Sequence, residues 1–210
     1  MKKYILFDND GVLVDTEPLY YEASKRALKE FFDVDITMSQ YMHIMINGLG
    51  VWELIGDTTV SEDKITIARD KRNEYYQELI NSCDVVIPHV KDVITELSKK
   101  YKMAIVTSAR RVDFELKHKH SGIPSMMEFV LCEGEYPRSK PQPDPYLKAL
   151  KILGAKKEET IVIEDSLRGL QSAYSAGIDC VIVHNEFTKT QDFSKANKKI
   201  DSIKELLTLL

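Results

Sequence analysis

Apolar positions along the chain follow two periods, and the change between them comes early. Tyr4-Ile5-Leu6-Phe7 is a short β-favouring run that stops at Asp8, as a buried strand would. Beyond it, Tyr20, Ala23, Ala27, Leu28 and Phe31 recur at helical spacing, with Asp15 or Thr16 to cap and Pro18 in the first turn. Thr37-Met38-Ser39-Gln40 has the capping-box pattern and opens a second helix. Asn47-Gly48-Leu49-Gly50 interrupts it, and Val51-Trp52-Glu53-Leu54-Ile55 predicts a short further helix. Ser61 caps a longer one carrying Ile65, Ala68, Arg72, Tyr75, Tyr76, Leu79 and Ile80.

From Val85-Val86-Ile87-Pro88 the pattern alternates. Strands are predicted at 103–106, 129–131, 160–163 and 180–183. Between them lie helices carrying Val90, Val93, Ile94 and Leu97, then 111–120, then 144–153 with Tyr146, Leu147, Leu150 and Leu153 inward, then 167–176. Ile203, Leu206, Leu207 and Leu210 close the chain on an amphipathic helix. Continuously apolar strands alternating with helices imply an α/β fold: a Rossmann-like parallel sheet covered by helices on both faces. Residues 1–15 and 84–210 form this layer, and residues 16–83 form an all-helical module inserted after the first strand.

Composition narrows the class. The 210 residues suffice for one buried core and a second small module. A net charge of −4 offers no nucleic-acid or polybasic membrane surface, and Lys99-Lys100 and Lys195, Lys198 and Lys199 read as solvated faces. Cys83, Cys132 and Cys180 are odd in number and scattered, which fits reduced thiols and neither a disulfide framework nor a zinc site. Lys2-Lys3 with the apolar run after it mimics a signal peptide, but the run falls short of the ~7–15 residues of an h-region. No stretch approaches the ~18 apolar residues of a membrane span, and the expected location is the cytoplasm.

Candidate chemistry lies at the strand ends. Asp8 and Asp10 stand two apart where the first strand stops, and Gly11 allows a sharp turn. Residues i and i+2 of an extended segment point the same way, so both carboxylates converge. Such a pair needs a proton or cation between its members, and Mg²⁺ suits carboxylates that share a site with phosphate. Alone, Asp-x-Asp-Gly equally describes a turn. The strands at 103–106 and 160–163, however, end in Thr107-Ser108 and Glu164-Asp165-Ser166, on the sheet edge where such folds bind ligands.

Together, Asp8-x-Asp10-Gly11, Thr107-Ser108, Lys140-Pro141-x-Pro143-Asp144 and Glu164-Asp165-Ser166-x-x-Gly169 resemble the four ordered motifs of the haloacid dehalogenase superfamily. The chain is most similar to the branch with a small helical cap, which holds sugar-phosphate phosphatases and β-phosphoglucomutase. The resemblance implies that Asp8 is a nucleophile forming an aspartyl-phosphate, and that Asp10 protonates the leaving oxygen and then deprotonates the attacking water. It implies Mg²⁺ held by Asp8, the Asp10 carbonyl and Asp165, with Glu164 as ligand or water-mediated partner. Thr107, with backbone N–H groups near Asn9–Gly11 and at Ser108, would bind the phosphoryl group, and Lys140 would neutralise it. The Asn9 side chain is expected to point away from the metal. Ser166 is expected to cap a helix, and His118 and His120 to lie at the surface.

The implied function is Mg²⁺-dependent hydrolysis of a small phosphorylated metabolite, a sugar or polyol phosphate, with no nucleic-acid or membrane partner. Asp10 argues against a dehalogenase or a phosphonate-cleaving relative. A β-phosphoglucomutase-type mutase is the alternative, but it uses a cap arginine shortly after a glycine, and Val51 stands near that position. A non-catalytic binding relative should lack one of the four catalytic groups. Specificity is expected to rest with Asn47, Gly48, Val51, Trp52 and Glu53; Trp52 either covers substrate or belongs to the cap core. Arg110 either touches substrate or merely starts a helix. His89 stands where the family usually has glycine, which bears on a helix start.

Overall fold

Six parallel strands carry the candidate residues. In chain order they are β1 (Tyr4–Phe7), β2 (Lys102–Val106), β3 (Phe129–Leu131), β4 (Thr160–Glu164), β5 (Asp179–Val183) and β6 (Lys198–Ile200), and they lie side by side as β3-β2-β1-β4-β5-β6. The structure, a computed structural model, describes residues 1–46, 49–56 and 59–210. Its helices are α1 (Glu17–Phe32), α2 (Met38–Ile46), α3 (Glu62–Ser82), α4 (Val90–Ser98), α5 (Arg111–Lys117), α6 (Asp144–Leu153), α7 (Leu167–Ala176) and α8 (Leu206–Leu209). The chain forms two compact units, Met1–Asp15 with Val85–Leu210, and Thr16–Asp84. No helix among the described residues is long and apolar enough to cross a membrane.

The period of two along β1 explains its unbroken apolar run. Ile5 and Phe7 enter one core with Val90, Val93 and Ile94 of α4, Phe114 of α5 and Leu206. Leu6 enters a second core on the opposite face, with Tyr146 and Ala149 of α6 and Leu170 and Ala173 of α7. Each fully buried Ile, Leu, Val or Phe side chain among these contributes about 1.5–3 kcal/mol.

Three details depart from the expected pattern. Leu147 is 47% exposed, because the inward line of α6 runs through Tyr146 and Ala149 and a residue one step on points about 100° away. Leu207 is exposed for the same reason: the tail is a 3₁₀ turn, Ile203–Glu205, followed by the single turn of α8, and Leu206 faces the core. The edge strand β6 was not expected; only Ile200 of its three residues turns inward, while Lys198 and Lys199 stay exposed and discourage pairing with another chain. His89 precedes α4 with φ at 70°, a left-handed conformation costing a non-glycine residue about 1–2 kcal/mol.

In the helical unit the capping signals at Thr37 and Ser61 form as expected, while Thr16 stands at the start of α1 without a side-chain capping hydrogen bond. Gln40 N–H donates to Thr37 Oγ1 while Thr37 N–H donates to Gln40 Oε1, and Ser61 Oγ accepts the Lys64 N–H. Leu28, Ile36, Tyr41 and Val51 form the apolar centre, with Trp52 packed against them. The buried Arg72 guanidinium lies 4.4 Å from the centre of the Tyr20 ring.

Candidate active site

Strand order reverses at β1, which has β2 on one side and β4 on the other. Connections leave such a point in opposite directions, opening a crevice beyond the strand ends. Phe7 pairs with Ile163 across to β4, so Asp8 and Glu164 emerge side by side. The chain after Asp8 turns at once, the N–H groups of Leu13 and Val14 both donating to the Asn9 carbonyl. Gly11 makes the turn with φ at 81°, and a Cβ there would lie 2.1 Å from Asp165 Oδ2. Glycine is needed at this position for its backbone and for its lack of bulk.

Lys140 binds this edge together. Its Nζ donates to Asp8 Oδ1 at 2.6 Å, to Glu164 Oε1 at 2.6 Å and to the Val106 carbonyl at 2.9 Å, which uses all three ammonium protons. Burial opposes its charge, yet Asp8 and Glu164 outweigh burial and hold the ammonium above the usual lysine range. The fully buried Glu164 also accepts from Tyr146 Oη at 2.8 Å and from the Asp165 N–H and Ser166 Oγ, each at 3.1 Å. A Cβ on Gly169 would lie 1.8 Å from the Glu164 carboxyl carbon, so this carboxylate rests directly on the α7 backbone. Ser166 caps α7 as expected, accepting the Gly169 N–H.

Asp165 is held from the other side. Asn185 Nδ2 donates to Asp165 Oδ2 at 2.6 Å, while Asn185 Oδ1 accepts the N–H groups of Phe187 and Thr188. Burial, then the neighbouring Glu164 and Asp8, raises Asp165 well above the carboxylate range. Burial likewise pushes Asp8 up to about 7, with Glu164 adding to it and Lys140 opposing it.

These shifts describe buried carboxylates crowded more closely than Lys140 alone offsets. Oxygens of Asp8, Glu164 and Asp165 all lie within 4.8 Å of one another. With Asp8, Glu164 and Asp165 ionised, Lys140 leaves two negative charges unbalanced, the complement of one divalent ion. An all-oxygen donor set selects a hard cation. The residues therefore fit a divalent metal, with Asp8 and Asp165 as the open ligands and Glu164 largely occupied by its hydrogen bonds. Replacing Asn185 by alanine should weaken divalent-metal binding about 10-fold or more by titration calorimetry, because Asp165 loses the donor that orients it. Unchanged affinity would remove Asn185 from this role.

The other expected residues are placed as follows. Thr107 is buried at the end of β2, where its Oγ1 accepts the Ala109 N–H at 3.0 Å and its carbonyl accepts Tyr136 Oη. Ser108 follows it, half-buried. The Asp10 carboxylate stands outside the acidic trio and pairs with Lys117. Asn9 is buried, its amide directed to His118 and Asp10. Arg110 starts α5 and is held bidentately by Asp113, at 2.8 and 2.9 Å. In the helical unit Val51 is core, Trp52 packs on that core, and Glu53 accepts the Gly50 N–H. Asn47 and Gly48 lie outside the described residues.

His118 corrects the sequence reading: it is buried, not superficial, while His120 is exposed. The reason is that His118 lies one turn after the core residue Phe114, on the same inward face of the helix, where its ring meets Asn9 and Ser121. Burial lowers His118 to about 4, with Asp10 opposing and Lys117 reinforcing the shift, so its ring is neutral near pH 7. Lys117, Tyr146 and Asn185 were also missed. Asn185 follows the end of β5, so the strand-end rule that picked out Asp8 and Glu164 would have found it.

A family model described as haloacid dehalogenase-like hydrolase matches residues 5–183. The chain is 29% identical over 184 residues to the fructose-1-phosphate phosphatase YqaB of Escherichia coli, covering 85% of this chain and 95% of that one. It is 27% identical over 210 residues to the pyrophosphatase PpaX of Bacillus mycoides, covering 98% and 95%. Among solved structures, CbbY from Rhodobacter sphaeroides in complex with phosphate superposes with a TM-score of 0.84 at 25% identity, covering 98% of this chain and 96% of that one.

Proposed function

Because the chain belongs to the haloacid dehalogenase-like hydrolases and is a phosphohydrolase of that family, we propose that it hydrolyses a small sugar or polyol phosphate with Mg²⁺ through an aspartyl-phosphate on Asp8. The observation that carries this reading is the Asp8 carboxylate, gripped on one oxygen by buried Lys140 and followed two residues later by the more exposed Asp10. An Asp8 oxygen attacks phosphorus, and the bond from phosphorus to the substrate oxygen breaks as Asp10 supplies its proton. Asp10, now ionised, takes a proton from water, whose oxygen attacks the phosphoryl group and returns Asp8 with release of inorganic phosphate. Thr107 and the N–H groups of Ser108, Asn9 and Asp10 bind the phosphoryl oxygens, the Gly11 N–H donating instead to the Val14 carbonyl, and Lys140 offsets their charge. Mg²⁺, held by Asp8, Asp165 and the Asp10 carbonyl, would supply charge neutralisation that lets a carboxylate approach a phosphoryl group.

YqaB supports a sugar phosphate as substrate and PpaX supports pyrophosphate as the competing class. Val51 is buried among Leu28, Ile36 and Tyr41, which gives a mutase-type cationic grip no support at that position. Phosphate release with Mg²⁺ from hexose, pentose, polyol and short-acid phosphates and from pyrophosphate tests the reading. A sugar or polyol monoester should exceed every other substrate by about 10-fold or more in kcat/KM, and EDTA should abolish release. A clear preference for pyrophosphate would replace the substrate class. Conversion of β-glucose 1-phosphate to the 6-phosphate without release would make the protein a mutase, and silence in both assays would overturn the proposal.

A further inference from the structure

Two consecutive residues at the end of α5 grip two consecutive residues of the loop after β1. Lys117 Nζ donates to Asp10 Oδ1 at 2.5 Å. The lysine side chain is 3% exposed, whereas that of Asp10 is 32% exposed, so the contact is made from beneath the crevice. Next to it, His118 Nε2 lies 2.7 Å from Asn9 Oδ1, and its Nδ1 lies 2.9 Å from Ser121 Oγ. An amide oxygen only accepts, so Nε2 carries the proton, and the Asn9 amide is held with Nδ2 towards Asp10 Oδ2 at 3.3 Å. Phe114, one turn back on α5, stacks against the imidazole with ring centres 4.6 Å apart. Both Asp10 oxygens thus meet a donor whose own position is fixed by the end of one helix.

We propose that Lys117 is a positioning residue for the Asp10 carboxylate, and that His118 completes the brace by orienting Asn9. Stability does not account for the arrangement: an apolar side chain of similar volume would fill the place of Lys117 without the desolvation that a buried ammonium entails. Proton transfer does account for it. Asp10 has to give a proton to the leaving oxygen and later take one from water at nearly the same point, and misplacement of the order of 1 Å costs such a step heavily. The Asp10 carboxylate is partly exposed at the crevice, and Lys117 holds it from the buried side.

The inference rests on Asp10 as the acid and base of the proposed phosphatase, and the leaving group separates the two. A sugar or polyol alkoxide needs a proton as it departs, whereas p-nitrophenolate departs without one. In single-turnover reactions with Mg²⁺, Lys117→Met should slow leaving-group release from the sugar or polyol phosphate about 100-fold and from p-nitrophenyl phosphate less than about 3-fold. KM should stay within a factor of about 3, and Asp10→Asn should show the same asymmetry more strongly. His118→Leu should reproduce it at roughly 10-fold, which keeps the test available should Lys117→Met not fold.

Equal losses on both substrates in the folded variants would make the brace merely structural and overturn the proposal. Wild-type rates on both substrates would overturn it with the phosphatase reading intact. Asp10→Asn without the asymmetry would instead show that Asp10 is not the acid, and wild-type protein inactive on every monoester would remove the phosphatase itself.

Discussion

Asp8→Asn should lower turnover at least about 10⁴-fold while leaving the fold in place, and this is the largest effect on activity that the site predicts. A neutral amide oxygen is far too weak a nucleophile to displace the substrate oxygen, and the neighbouring carboxylates cannot substitute for it. Asp10 is held by Lys117, and Glu164 is buried under its own hydrogen bonds. Structurally the change is mild. Lys140 retains Glu164 and the Val106 carbonyl, and the site loses one of its crowded negative charges.

The same substitution makes a prediction about stability. Asp8 titrates near 7 in the folded protein, from an ordinary value of 3.8, chiefly because it is buried. A carboxyl group raised in this way favours folding below its unfolded pKa, and that contribution is lost as pH rises through the folded value. In EDTA, the melting temperature of Asp8→Asn relative to wild type should therefore climb between about pH 4 and pH 7. Added Mg²⁺ should shrink the difference by stabilising wild type alone. Scanning calorimetry across that pH range checks this. A variant that keeps more than about 1% of turnover would remove Asp8 as nucleophile, and one that melts far below wild type at pH 7 would show that the carboxylate is structural.

Why these residues were legible and others were not follows from where their partners lie. Ile5, Leu6 and Phe7 read as a buried strand because cores on both faces demand apolar residues at every position. Asp8, Thr107 and Glu164 read as a site because each interrupts such a strand at the same end, a local signal. Lys140 lies in a loop, and only its place among four motifs distinguished it from a surface lysine. Lys117 and His118 sit in Lys117-His118-Lys119-His120, a charged run like any solvated helix end, and their partners are more than a hundred residues away in sequence. No pattern within α5 announces that its last turn reaches the β1 loop. The strand β6 was missed because one inward residue in three carries almost no periodicity.

Lys140→Met should produce the largest loss of stability, about 3–5 kcal/mol. The buried ammonium is the counter-ion of a carboxylate with no access to water, and methionine fills the space without supplying a charge. For a domain whose total stability is of the order of 5–15 kcal/mol this is a large fraction, seen as a fall of roughly 6–20 °C in melting temperature. Turnover should also fall, by about 10²–10³-fold, since no other cation contacts Asp8 among the interactions described. The two losses have different causes and can be separated. In Lys140→Met/Glu164→Gln the buried charge is gone, while the Gln oxygen still accepts from Tyr146 Oη. The double variant should therefore regain at least half of the lost stability and none of the lost activity, a coupling that a double-mutant cycle on melting temperature and kcat would measure. A double variant as unstable as Lys140→Met alone would mean that the lysine acts chiefly through Asp8 and the Val106 carbonyl. One that recovered turnover would mean that Lys140 serves the fold and not the phosphoryl group, because the neutral pair restores packing and hydrogen bonds but places no positive charge beside Asp8.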